Sequence, residues 1–162
     1  MSKISPCLWF DGKAEEAARL YVSLVPDSRV DSVTTLPADT PSGPAGSVKV
    51  VEFTLAGQSF TAMDAGPFDP FNHAISLMVN CADQAEVDRI WNALGEGGAP
   101  ERCGWLKDRY GVSWQIVPTA LGEMMKDKDR ARAGRVAEAM LRMVKLDVAG
   151  LRRAYDGASP LR

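Results

Sequence analysis

The chain has 162 residues and a formal net charge of −2, with 46% hydrophobic and 25% charged residues, which is the balance of an ordinary globular protein. That length allows one domain, or two small halves sharing a core. It holds no run of about 18 apolar residues, so no transmembrane helix is expected, and Met1–Pro6 lacks the apolar stretch of a signal peptide, so a cytoplasmic protein is expected.

In chain order, residues 3–10 are short and apolar and read as a strand, closed by the cap signal Asp11-Gly12. Ala17, Leu20, Tyr21 and Leu24 recur at helical spacing, which predicts a helix over 14–24, broken by Pro26-Asp27-Ser28. Residues 30–36 read as a strand and 37–46 as a loop rich in Pro, Gly and Ser. Residues 48–55 and 58–63 alternate as strands around Ala56-Gly57 and predict a hairpin. Residues 66–72 form a linker, and 73–79 is the most strand-like run in the chain. A second helix is predicted over 83–94 from Val87, Ile90, Trp91 and Leu94, stopped by Gly95-Glu96-Gly97-Gly98. Residues 101–106 and 112–117 read as strands joined by a solvated turn around Lys107-Asp108-Arg109. Beyond Pro118 the pattern is wholly helical, with a stripe of Val136, Met140, Met143 and Val144; Asp147 caps a last helix and Gly157 stops it.

The three cysteines, Cys7, Cys81 and Cys103, are spaced for neither a disulfide framework nor a zinc site and read as buried thiols. Residues 126–153 hold nine basic and four acidic side chains, leaving −7 on the remainder. Aromatic interleaving is lacking and acids are mixed in, so this segment reads as a solvated or docked helix face, with no nucleic-acid or membrane partner expected.

A repeat runs through this pattern. Glu16-Ala17-Ala18-Arg19-Leu20-Tyr21 matches Glu86-Val87-Asp88-Arg89-Ile90-Trp91, and Gly57-Gln58-Ser59-Phe60-Thr61-Ala62-Met63 matches Gly111-Val112-Ser113-Trp114-Gln115-Ile116-Val117. Two copies at a period above about 50 residues are a duplicated half-domain rather than a solenoid. Each half runs strand, helix, then strands ending in a Gly-x-Ser-aromatic strand. Two curved halves side by side enclose a pocket, a usual place for a ligand.

Leu8-Trp9-Phe10-Asp11-Gly12-Lys13-Ala14-Glu15-Glu16-Ala17, Cys103 through Pro118, and the stretch Ala139–Asp147 together resemble the PhnB-like branch of the vicinal oxygen chelate superfamily, the relatives of glyoxalases, extradiol dioxygenases and bleomycin-resistance proteins. The resemblance implies an α+β fold: two βαβββ modules (1–66 and 67–118) with curved mixed sheets and a C-terminal helical tail (119–162), forming one compact domain and a homodimer. Catalytic relatives hold a divalent metal with four inward residues, from the opening and closing strand of each module. By resemblance those places fall on Ile4 or Ser5, Thr61, His73 or Ala74, and Gln115. That set lacks the strong donors a divalent metal needs, so neither a metal site nor a cofactor is expected. Members of this branch also carry the name demethylubiquinone methyltransferase. Gly95-Glu96-Gly97-Gly98 follows a helix rather than a strand, so it does not read as a nucleotide-type cofactor loop.

The candidate ligand-lining residues are Trp9, Phe53, Thr61, Asp64, His73, Trp105, Trp114 and Gln115. The aromatic residues read as pocket walls or as core. His73, the single histidine, reads as a base, a lone ligand or a structural residue. Gln115 reads as a pocket amide or a packing amide, and Asp64 as a cleft residue or a chain-turning one. Three functions follow: a binding protein for a small apolar or aromatic ligand; a glyoxalase- or dioxygenase-like enzyme acting on a vicinal-oxygen or enolisable substrate through His73 and Gln115; or a structural dimer with a vestigial pocket.

Overall fold

The computed structural model describes residues 3–67 and 69–158. The chain divides into two compact units, the first ending at Pro70 and the second beginning at Phe71. Phe68, inside the expected linker, lies outside the described residues.

The first unit runs β1 (Cys7–Phe10), α1 (Ala14–Leu24), β2 (Arg29–Thr35), β3 (Lys49–Leu55) and β4 (Gln58–Asp64). Its sheet has the order β1-β4-β3-β2, with β1 parallel to β4 and the other neighbours antiparallel. Ala56 (φ 45°) and Gly57 (φ 80°) both take the left-handed conformation that a two-residue hairpin requires. The helix buries Ala14, Ala17, Ala18 and Tyr21. Small side chains let it approach the sheet, where Leu8, Phe10, Val51, Phe53, Phe60 and Ala62 are buried. Tyr21 lies 6.5 Å from the ring of Phe53, which stacks on Phe60 at 5.2 Å. Burying each such ring is worth about 2–3 kcal/mol.

The second unit repeats the plan with β5 (Leu77–Cys81), α2 (Gln84–Gly95), β6 (Ala99–Pro100), β7 (Trp105–Lys107) and β8 (Ser113–Pro118). The sheet order is β5-β8-β7-β6, and β5 runs parallel to β8 as β1 does to β4. Val87, Ile90, Trp91 and Leu94 of α2 are buried, the same stripe the periodicity picks out. Mixed sheets, two βαβββ modules and a helical tail are thus the architecture.

Three strands differ from the sequence reading. The opening strand begins at Cys7, not residue 3; Ile4 is 82% exposed. The run from His73 enters the sheet only at Leu77, because Asn72 Oδ1 accepts the Ala74 N–H (2.8 Å) and holds the chain in a side-chain-stabilised turn. Residues 101–106 are not one strand, because Cys103 (φ 61°) and Gly104 (φ 81°) take left-handed backbone between β6 and β7. The thiols also differ: only Cys81 is buried, whereas Cys103 is half-buried and Cys7 exposed. Burial, reinforced by the Glu86 charge, pushes the Cys81 thiol up to about 11.

The tail forms α3 (Thr119–Met125), α4 (Arg130–Arg142) and α5 (Val148–Asp156). Leu121, Met124, Val136, Leu146 and Leu151 make its core, with Val117 of β8 packed against it. Asp129 caps α4, Asp147 caps α5 and left-handed Gly157 ends α5. Val144, by contrast, is 47% exposed and leaves the expected stripe. Backbone bonds from Cys103 N to Met143 O and Gly104 N to Val144 O, both 2.8 Å, tie the tail to the turn before β7. Gln84 adds a further tie, donating to Leu146 O (3.1 Å) and accepting from Val148 N (2.8 Å).

Candidate functional site

Each sheet has one face against its helix and one turned away, and strand alternation sorts the candidate residues between them. Phe53 (1% exposed) and Trp114 (2%) point to the helix side. The structure therefore places them in the cores, not as walls of a ligand face. Trp114 Nε1 donates to Asp108 Oδ2 (2.9 Å), and Asp108 Oδ1 accepts from Tyr110 N (2.9 Å) and Val112 N (3.0 Å). Asp108 is thus a buried carboxylate satisfied by three donors, not the solvated turn residue its neighbours Lys107 and Arg109 suggest. Three N–H groups gathered into one hairpin account for its burial.

Asp64, read as a cleft or chain-turning residue, accepts the Ala14 N–H on its Oδ1 at 2.7 Å and holds the first turn of α1. Lys13, at the helix start, supplies no cap of its own. On the open face of the first sheet, register aligns Cys7, Thr61 and Glu52 in one row. Trp9, one row along, donates its Nε1–H to Gly66 O (2.9 Å), which fixes the indole against its own chain.

The open face of the second sheet gathers more of the expected residues. Register places Met78, Gln115 and Trp105 in one row across β5, β8 and β7. Gln115 and Trp105 are half-buried and Met78 is 54% exposed. Gln115 Nε2 donates to Ser76 Oγ at 2.9 Å, which orients the amide. His73 stands beside this row, its ring centroid 6.1 Å from that of Trp105. Its Nε2 lies 2.9 Å from both carboxylate oxygens of Glu101. A carboxylate has no proton to give, so in the neutral imidazole Nε2 carries the hydrogen and Nδ1 is the acceptor. The sequence pattern gives Glu101 no mark of its own. It sits 28 residues from His73 and only the fold brings the two together.

Register also tests the metal expected of the fold. The partner of Thr61 on the opening strand is Cys7, not Ile4 or Ser5, and the partner of Gln115 is Met78, not His73 or Ala74. Thiol, hydroxyl, thioether and amide are not the donor set of a divalent Lewis-acid centre. Among the described residues, no group of three or more His, Cys, Asp or Glu side chains could hold a metal ion. The residues present do not fit the metal.

The tail carries a separate groove of about 400 Å³ between α4 and α5, lined by Arg135, Glu138, Arg142, Met143, Asp147 and Arg153 among others. Its guanidinium groups are engaged within the tail: Arg135 with Ala154 O and Tyr155 O, Arg142 with Glu138 and Arg153 with Asp147. Among the described residues no helix is long and apolar enough to cross a membrane.

Comparison with known proteins matches residues 2–117 to the family model described as 3-demethylubiquinone-9 3-methyltransferase. A solved structure from Bacillus cereus, titled a putative 3-demethylubiquinone-9 3-methyltransferase, PhnB protein, is 36% identical with a TM-score of 0.64, covering 72% of this chain and 99% of that one. A Pseudomonas aeruginosa protein of 24% identity has a TM-score of 0.55, covering 73% of this chain and 98% of that one. The fosfomycin resistance protein FosX of Listeria monocytogenes, 12% identical, has a TM-score of 0.40 over 72% of this chain and 90% of its own. No curated protein matches the chain. The family match ends at residue 117, so α3–α5 lie outside it. With two βαβββ modules of the same strand order and a match over most of its length, the chain belongs to the PhnB-like family of the vicinal oxygen chelate fold.

Proposed function

We propose that this protein binds a small, flat, largely apolar molecule on the open face of its second sheet. The observation that carries the reading is the row Met78–Gln115–Trp105, an exposed thioether, an oriented amide and a half-buried indole side by side. Ligand sites combine apolar walls with a few placed polar groups, and this row has that composition. Trp105 supplies a face for an aromatic ring, and Gln115 a donor and an acceptor that fix its orientation. The name methyltransferase, carried by relatives, finds no support in the glycine run 95–98, which ends α2 and leads into β6 rather than linking a strand to a helix. A thermal-shift screen against aromatic acids, ketones and quinones tests the reading. A binder should raise the melting temperature by mass action, and Trp105→Ala or Gln115→Ala should remove the shift. A screen without any hit, or hits that survive both substitutions, would refute it.

A further inference from the structure

The geometry points to a metal-independent proton-transfer activity on this face, with His73 as the base and Glu101 as its positioning residue. The inference rests on the binding reading above and adds chemistry to it. His73 Nε2 is held by both oxygens of Glu101 at 2.9 Å, so the imidazole is oriented, and in its neutral form Nδ1 is the acceptor. Among the described residues Nδ1 makes no hydrogen bond. The ring is half exposed, so a bound molecule can reach it, and its neighbour at 6.1 Å is the Trp105 indole on which a flat ligand would lie. A base oriented by a carboxylate, beside a stacking surface, is the arrangement general-base catalysis needs.

The face also carries groups suited to the charge such a step creates. Gln115 uses one amide hydrogen on Ser76 and has another to offer. Lys107 is two residues beyond Trp105 on the same side of β7 and makes no ion pair among the described residues. The substrate class is therefore an aryl-substituted carbonyl compound with an acidic hydrogen on the carbon between ring and carbonyl. The C–H bond breaks, its proton goes to His73 Nδ1, and the electron pair moves to the carbonyl oxygen as an enolate met by Gln115 or Lys107. The imidazolium then gives this proton to oxygen, yielding the enol, or first trades it for a solvent deuteron and delivers that to carbon, yielding exchange. No oxidant, reductant or metal enters.

Phenylpyruvate in deuterated buffer is the probe. Loss of its benzylic proton signal is followed by NMR with the full chain present, and binding is followed in parallel by line broadening of the ring protons. General-base catalysis gives on the order of 10²–10⁴-fold, so the expected result is at least about 100-fold faster exchange than in buffer. His73→Ala should abolish the acceleration with ring-proton broadening unchanged. Glu101→Gln should slow exchange about tenfold and Glu101→Asp should recover part of it, a rescue that a merely structural role would not show. Acceleration that survives in His73→Ala overturns the assignment. Binding without acceleration overturns it too, while leaving the binding reading intact. Absence of both binding and acceleration sinks the two together.

Discussion

The two modules of this chain share one topology and one core pattern, and differ where each sheet faces away from its helix. Phe60 and Trp114, Ala62 and Ile116, Ala17 and Val87, Tyr21 and Trp91 occupy matching buried places. On the open faces the match dissolves: Cys7 and Thr61 stand where the second module has Met78 and Gln115. The helix starts differ as well. Asp64 reaches from β4 to hold α1, whereas α2 is capped by Asp83, whose side chain accepts from Glu86 N, while Glu86 reaches back to Ala82 N. Packing constrains the inner face of both copies because any volume change there is felt by every neighbour. The outer faces are free of that constraint, and there the second module gathers an indole, an amide and an oriented imidazole.

The largest test of this contrast is the hairpin that enters the last strand of each module. In the second module it closes on a buried carboxylate. Asp108→Ala leaves the Tyr110, Val112 and Trp114 N–H groups without their acceptor and should cost about 3–5 kcal/mol in chemical denaturation. The first module has only Ala56-Gly57 there, with open space around the glycine, so Gly57→Ala should cost about 1 kcal/mol for its left-handed backbone. A similar loss for both variants would mean the hairpins are held alike.

Next comes the glycine that seats the tail. A Cβ on Gly104 would lie 2.8 Å from Ile116 O and 3.0 Å from Leu146, at φ +81°. Gly104→Ala should therefore cost roughly 2–4 kcal/mol and speed hydrogen exchange at the Cys103 and Gly104 amides, which bond the tail. Smaller again are the helix starts. Asp64→Ala and Asp83→Ala should each lower stability by about 1 kcal/mol, equal in size although one cap is remote and the other local.

The smallest effect is electrostatic and is read on α2 of the second module. The Lys145 ammonium, with Gln84, holds the Asp88 carboxyl below the usual carboxylate range. A lowered folded value means the stabilisation is present above the ordinary Asp pKa of about 4 and is lost as pH falls through the lowered one. The melting-temperature advantage of the wild type over Asp88→Asn should accordingly be present at pH 7 and vanish in acid. An advantage that grows in acid would reverse the sign of this account.

Much of the fold was legible from the chain because its strongest signals are periodic and local. Helical stripes at Ala17-Leu20-Tyr21 and Val87-Ile90-Trp91 carry their period in adjacent residues, and the repeated Gly-x-Ser-aromatic strands mark equivalent ends. Strand starts were less legible, because the side-chain turn at Asn72 and the left-handed Cys103 are backbone events without periodicity. At the site, Trp105 and Gln115 were found as open-face neighbours, whereas Phe53 and Trp114 turned inward by a parity that depends on register. Glu101 and Asp108 were missed for opposite reasons. Glu101 gains its meaning from a partner 28 residues away. Asp108 has the sequence setting of a surface charge, flanked by Lys107 and Arg109, until three N–H groups are folded around it.

The most direct test of the central claim is ligand-observed saturation-transfer NMR with a set of aromatic acids and ketones on three proteins: wild type, Trp105→Ala and Trp9→Ala. Transfer seen with the wild type and Trp9→Ala but lost with Trp105→Ala is the predicted result and places the ligand on the second sheet. Transfer lost in Trp9→Ala and kept in Trp105→Ala would contradict the account and move the binding face to the first module.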